Sequence, residues 1–238
     1  MKNAIVIGAT SGIGRELAII LSQHGYTVGI VGRRLNLLED LKSQLKTPAF
    51  IKQIDISIVP DAMRLLNELI SAMGEVDLIV ISSGIGFINP DLLWEHEKNT
   101  IDVNVLGFTA MANVAFNHFK QIGRGHLVGI SSIAAIFGHR GAPAYNASKA
   151  FISNYLEGLR SKAIHEKLDI TVTDIKPGFV DTAMAISDRL FWLAPVHKAS
   201  WQIYRAIEKK KSHSCITKRW TLIAWLMKIL PKCIRKRL

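Results

Sequence analysis

The chain of 238 residues has only two cysteines, Cys215 and Cys233, both near its C-terminal end. Two thiols so placed form no disulfide framework, and a reducing, cytoplasmic setting is the expectation. Also missing is any unbroken apolar run of the ~18–20 residues that a spanning helix requires. The apolar opening Met1–Gly8 carries Lys2 as its one basic residue and runs straight into a glycine-rich turn. That suits a buried strand better than a signal segment. Among the eight histidines, His139, His165, His197 and His213 lack ligand spacing, so no metal site is expected. Internal repeats, low-complexity tracts and interdomain linkers are absent from the sequence.

One region lacks acid altogether. From Lys209 to Leu238 there are ten Lys and Arg residues and no Asp or Glu. The formal net charge of +11 therefore belongs to the tail, because the remainder holds 20 basic and 19 acidic residues. No recognition motif accompanies this charge, so nucleic acid is not an expected partner. Residues 218–238 read as an appendage to a single domain of residues 1–217. Trp220 and Trp225, flanked by Lys and Arg, resemble an interfacial helix lying on anionic lipid. The other reading is a helix that covers the substrate pocket or a subunit interface.

What is present fits one globular α/β domain, with 49% hydrophobic and 21% charged residues. Short β-branched runs alternate with longer amphipathic stretches, as in a parallel sheet covered by helices on both faces. The expected strands are Ala4–Gly8, Thr27–Val31, Phe50–Ile54, Asp77–Ile81, His126–Ile130 and Ile170–Ile175. A weaker seventh lies at Ser214–Thr217. The expected helices are Ile13–His24, Leu35–Leu45, Val59–Met73, Asn99–Phe119 and Ala144–Glu166. This is a Rossmann-type doubly wound parallel sheet of about seven strands.

The first strand leads into Gly8-Ala9-Thr10-Ser11-Gly12-Ile13-Gly14 and then directly into a helix. Strand, glycine turn and helix in that order let backbone N–H groups approach a pyrophosphate at a helix N-terminus. The second strand ends at Gly32-Arg33-Arg34, where NAD-binding chains place a carboxylate for the ribose 2′-OH. None is present. Two guanidinium groups suit the 2′-phosphate of NADP instead, the other reading being a solvated arginine pair. NADP(H) is therefore expected over NAD(H).

The spacing G-x-x-x-G-x-G resembles that of the short-chain dehydrogenase/reductase family, and the resemblance extends over roughly residues 3–185. Tyr145-Asn146-Ala147-Ser148-Lys149 matches the family's Y-x-x-x-K, and Ser132 precedes Tyr145 by its spacing. Pro143 suits the first turn of a helix, which puts Tyr145 and Lys149 on one face. The resemblance implies that Tyr145 is the acid–base group, that Lys149 lowers its pKa and holds the nicotinamide ribose, and that Ser132 binds the substrate oxygen. Ser131 is the less favoured serine. Asn104 matches a helix asparagine that shapes the site and supports a water relay, or serves as a buried amide at a kink.

For the cofactor, the resemblance implies contacts from the turn residues Gly8, Thr10, Ser11, Gly12, Ile13 and Gly14. Asp55, beside Ile56, matches an aspartate that contacts adenine, although it could equally cap the next helix. Ser83 and Gly84 stand where the family has Asn-Asn-Ala-Gly, so backbone contacts are expected there without the asparagines. Pro177, Gly178, Val180 and Thr182 match the segment that meets the nicotinamide amide. Asp181–Lys198 corresponds to a mobile cover whose Met184, Ile186, Leu190, Phe191, Trp192 and Leu193 either meet an apolar substrate or pack on the core.

The expected function is interconversion of a carbonyl and an alcohol on a small, apolar or lipid-like substrate, in a homodimer or homotetramer. The alternatives are a 3-oxoacyl carrier-protein reductase and a non-catalytic NADP-binding regulatory protein.

Overall fold

The computed structural model describes residues 2–183, 192–217, 219, 220 and 222. Seven strands form one parallel sheet: β1 (Asn3–Ile7), β2 (Thr27–Gly32), β3 (Ala49–Gln53), β4 (Leu78–Ile81), β5 (Arg124–Ile130), β6 (Asp169–Pro177) and β7 (His213–Ile216). Their order is β3-β2-β1-β4-β5-β6-β7. Val6 stands level with Ile30 on one side and Val80 on the other, and Val80 with Val128. Such runs of β-branched residues, buried on both faces, are what a parallel sheet demands. The expected architecture is therefore found, including the weak seventh strand, one residue earlier than read.

Alternation along β1 divides the core in two. Ile5 and Ile7 face the side covered by α3 (Val59–Met73), α5 (Phe108–Ile122) and α6 (Pro143–His165), with Leu66, Phe108, Phe119 and Leu156. Ala4 and Val6 face α1 (Gly12–Gln23), α2 (Leu35–Gln44) and α7 (Val196–Glu208), with Leu17, Leu38, Ile203 and Ile207. Helices thus cover both faces. The winding reverses between β1 and β4, and an open sheet leaves a crevice beyond the strand ends at such a point.

Two differences from the sequence reading matter. The single helix expected at Asn99–Phe119 is instead α4 (Trp94–Ile101), a π-helical turn Asp102–Gly107, and α5. A tertiary contact accompanies the widened turn. Asn104 in the turn hydrogen-bonds both backbone groups of Ile85, beyond β4. π-turns of this kind recur at functional sites. The second difference is α7, which was not expected. Its Val196, Ala199, Ile203 and Ile207 repeat at helical spacing after Pro195, and they pack with the side of the sheet that bears α1. No helix among the described residues is long and apolar enough to cross a membrane.

Candidate active site

The crevice beyond β1, β4, β5 and β6 is a cleft of about 910 Å³. The glycine turn between β1 and α1 forms its floor. Gly8 sits at φ +93°, and a Cβ there would lie 2.5 Å from the backbone N of Ser83. Only glycine fits this approach. The first turn of α1 carries no acidic residue, and its N-cap Ser11 makes no side-chain capping bond. The leading N–H groups of the helix are thus available to an anion. Gly14 does not line the cleft. It lies beneath the turn, where a Cβ would come 2.2 Å from the Gly8 carbonyl oxygen.

Arg33 and Arg34 stand exposed at the end of the cleft nearest β2. The Arg34 guanidinium donates to Thr10 Oγ1 at 2.8 Å and to Ser11 Oγ at 3.1 Å, which ties it to the glycine turn. Arg33 reaches Asp55 at 3.8 Å. Asp55 Oδ1 accepts from the N–H and hydroxyl of Ser57 at 3.0 and 2.7 Å, so this carboxylate also shapes the chain before α3. Asp55, Ile56, Ser83, Gly84, Thr10, Ser11, Gly12 and Ile13 all line the same space.

The other end holds the groups expected to do chemistry. Pro143 opens α6, placing Tyr145 and Lys149 one turn apart facing the cleft. Ser132 follows β5 as N-cap of a 3₁₀ turn, Ile133–Ile136, and accepts from Ala134 N at 3.1 Å. It lines the cleft beside Tyr145 and acts to lower the pKa of that phenol. Ser131 also lines the cleft, but its hydroxyl donates to Asp174 Oδ1 and to the Ile175 carbonyl inside the protein. The two hydroxyls therefore face different surroundings.

Lys149 is 4% exposed. Its Nζ donates to the Ile130 carbonyl at 3.1 Å and lies 5.7 Å from the centre of the Tyr145 ring. Burial pushes its pKa down to about 8, while the carboxylate of Asp174 acts in the opposite direction. Burial likewise pushes Tyr145 up, against the smaller effect of Ser132. The sequence reading expected Tyr145 to be lowered by Lys149. In the chain alone, desolvation wins, and Tyr145 is a neutral phenol at pH 7.

Asn104, fully buried, stands one layer behind the cleft rather than in its wall. Besides holding Ile85 it donates to Ser148 Oγ at 3.0 Å, and Ser148 donates to the Tyr145 carbonyl at 2.8 Å. It thereby links the loop after β4 to the catalytic helix. A Cβ at Gly84 would lie 3.2 Å from Lys149 Nζ and 3.3 Å from Asn104 Oδ1, so the backbone passes close to both.

After β6, Pro177, Gly178, Val180 and Thr182 line the cleft, and Thr182 rests on Gly12. Asp181 N donates to Ala194 O at 2.9 Å, and Ala194 N to Phe179 O at 3.0 Å, which pins this segment. Met184, Ile186, Leu190 and Phe191 fall outside the described residues, as does most of 218–238. Trp192 and Leu193 are exposed. Trp220 was read only as part of the tail, yet it is 4% exposed and lines the cleft. Its indole fills the space a side chain at Gly178 would need and meets Phe179 edge-on at 5.1 Å.

Comparisons with known proteins identify the family. A family model described as short chain dehydrogenase matches residues 2–190. A Myxococcus xanthus protein described as an uncharacterized oxidoreductase is 34% identical over 192 residues, covering 79% of this chain and 75% of that one. An alcohol dehydrogenase from the archaeon Thermococcus sibiricus, solved with 5-hydroxy-NADP, superimposes with a TM-score of 0.78 at 22% identity, covering 91% of this chain and 96% of that one. A serine dehydrogenase solved with NADP+ gives 0.76 at 22%, covering 86% and 88%. The match over residues 2–190 places the chain in the short-chain dehydrogenase family, as an oxidoreductase.

Proposed function

We propose that the cleft takes a nicotinamide dinucleotide, NADP(H) in preference to NAD(H), and that the chain interconverts a carbonyl and an alcohol on an apolar or lipid-like substrate. The observation that carries this reading is the convergence of Ser132, Tyr145 and Lys149 at one end of a cleft whose other end offers a glycine turn and two arginines. The fit to the cofactor rests on the cradle at Gly8 and the uncapped start of α1. A bound nicotinamide supplies or accepts the hydride, chemistry that no side chain here can perform.

The residues supply the rest. Ser132 and Tyr145, which line the same end of the cleft, hold the substrate oxygen between their hydroxyls. Tyr145, kept neutral by burial, donates its proton as that oxygen gains charge. Lys149 places an ammonium beside the ring and steadies the phenolate left behind. Because burial opposes a phenolate in the resting chain, Tyr145 is held in the protonated form that the reduction direction uses. A non-catalytic cofactor-binding role would leave the Ser132–Tyr145–Lys149 convergence without a purpose.

For the cofactor, Arg34 is held ready by Thr10 and Ser11, and exposed Arg33, paired with Asp55 at 3.8 Å, can turn toward a phosphate. The NADP-type ligands of the two solved neighbours support the same class. Arg33→Ala should raise the KM for NADPH about tenfold, the scale of one charge-assisted hydrogen bond, and barely change that for NADH. Equal changes for both cofactors would refute the phosphate assignment.

The substrate end is walled by Phe87, Ile88, Ile133, Phe137, Phe179 and Trp220. Trp220→Ala should raise KM for a long-chain or aromatic ketone by about tenfold while leaving kcat for a small ketone within about twofold, since one aromatic contact is worth about 1.4 kcal/mol. Steady-state kinetics with ketones of graded size would show it. An unchanged KM across the series would remove Trp220 from the substrate wall.

A further inference from the structure

Asp174 lies in β6, fully buried, and is not part of the cleft wall. A buried carboxylate is costly unless it is paired and hydrogen-bonded. Here the side-chain hydrogen-bond partners Ser131, Ser153 and Lys176 lie on or beside the elements that carry the acid–base groups. Oδ1 accepts from the Ser131 hydroxyl. Ser131 sits between Ser132 and Ile130, and the Ile130 carbonyl holds Lys149. Oδ2 accepts from the Ser153 hydroxyl at 2.7 Å, one turn beyond Lys149 on α6. It also pairs with Lys176, whose Nζ donates to Ser153 Oγ at 2.7 Å and which precedes the Pro177–Gly178 turn.

We propose that Asp174 is a positioning residue for the Tyr145–Lys149 pair: it ties β5, α6 and β6 together behind the cleft, and its charge keeps Lys149 protonated. The inference rests on the acid–base reading given above. The groups facing Lys149 are Tyr145 on its own helix, the Ile130 carbonyl from β5, Asn104 across Gly84, and Asp174 from β6. Those around Asp174 are Lys176, His213 of β7 at 3.8 Å, and Arg160 of α6, with Glu157 acting on the last two. Asp174 thus opposes the burial that lowers Lys149.

The sign follows from charge. Removing the carboxylate withdraws support from the ammonium, and Lys149 then loses its proton at lower pH. Removing Lys176 leaves the Asp174 charge less opposed, and Lys149 keeps its proton to higher pH. A role confined to packing would not move the two variants in opposite directions.

The test is NMR titration of labelled lysine side chains in the cofactor-free protein, with Lys149 assigned through Lys149→Arg. Asp174→Asn should lower the Lys149 midpoint by about one pH unit, the scale of one nearby charge, and Lys176→Gln should raise it. The alkaline limb of NADPH-dependent carbonyl reduction should move the same way. Midpoints unmoved in both folded variants would overturn the inference. Should Asp174→Asn fail to fold, Lys176→Gln decides, because an unmoved or lowered midpoint contradicts it. Tyr145→Phe separates the two failures. If that variant is inactive while the midpoints stay put, only the Asp174 role falls; if it is fully active, the acid–base reading falls and this inference with it.

Discussion

Replacing Tyr145 with phenylalanine lowers kcat for NADPH-dependent carbonyl reduction by roughly 10³-fold, within the ~10²–10⁴-fold that a placed proton donor contributes. The change deletes one hydroxyl and little else. The ring packs against Gly86, where an added Cβ would lie 2.6 Å from Tyr145 Cδ2, and phenylalanine preserves that contact. Lys149, buried and bonded to the Ile130 carbonyl, also keeps its place. Cofactor affinity and thermal stability should therefore stay near wild type while turnover collapses. Activity within about tenfold of wild type would assign the proton to another group.

The second large effect is expected at Gly14, which lies beneath the turn and does not line the cleft. In Gly14→Ala the new Cβ meets the Gly8 carbonyl oxygen at 2.2 Å and its carbon at 2.9 Å, and backbone cannot rotate aside. The turn must shift, and Gly8 is already pressed against Ser83. Overpacking of this kind costs about 1–3 kcal/mol. For a chain of this size each kcal/mol lowers Tm by about 2–4 °C. Because the displaced atoms form the phosphate cradle, the Kd for NADPH should rise about tenfold or more, equivalent to at least about 1.4 kcal/mol. Gly158→Ala is the control. It lies in α6 with nothing within 4 Å of an added Cβ, so it should raise stability by about 0.5–1 kcal/mol and leave Kd unchanged. Thermal melts and cofactor titrations that fail to separate the two variants would contradict this account of the turn.

The parts of the fold legible in the sequence are those set by local pattern. Runs such as Ala4–Ile7 and Leu78–Ile81 are apolar on both faces because helices cover both, and periodicity records that directly. Both Ser131 and Ser132 line the cleft, but the Ser131 hydroxyl is committed to Asp174 and the Ile175 carbonyl, which leaves Ser132, the serine chosen by the spacing to Tyr145, for the site. What was not legible depends on contacts distant in the chain. The π-turn goes with the bonds from Asn104 to Ile85; one reading of Asn104 is a buried amide at a kink, but its partner beyond β4 cannot be read from Asp102–Gly107. Trp220 reads as tail until Gly178 is seen to leave room for an indole. Burial of the Tyr145 phenol, which opposes the lowering expected from Lys149 and the cofactor, is likewise not visible in sequence. Helix α7 is a different case. Its signal is present in the spacing after Pro195, but the expected cover runs over Asp181–Lys198 and residues 199–208 carry no expected element.

The central claim is that this cleft joins a nicotinamide cofactor to an acid–base pair that turns over a carbonyl. Its most direct test follows NADPH absorbance and alcohol formation together, using wild-type protein and a panel of apolar ketones and aldehydes. The account predicts that NADPH is consumed in step with alcohol for at least one member of the panel. NADPH that binds while no carbonyl is reduced would contradict it.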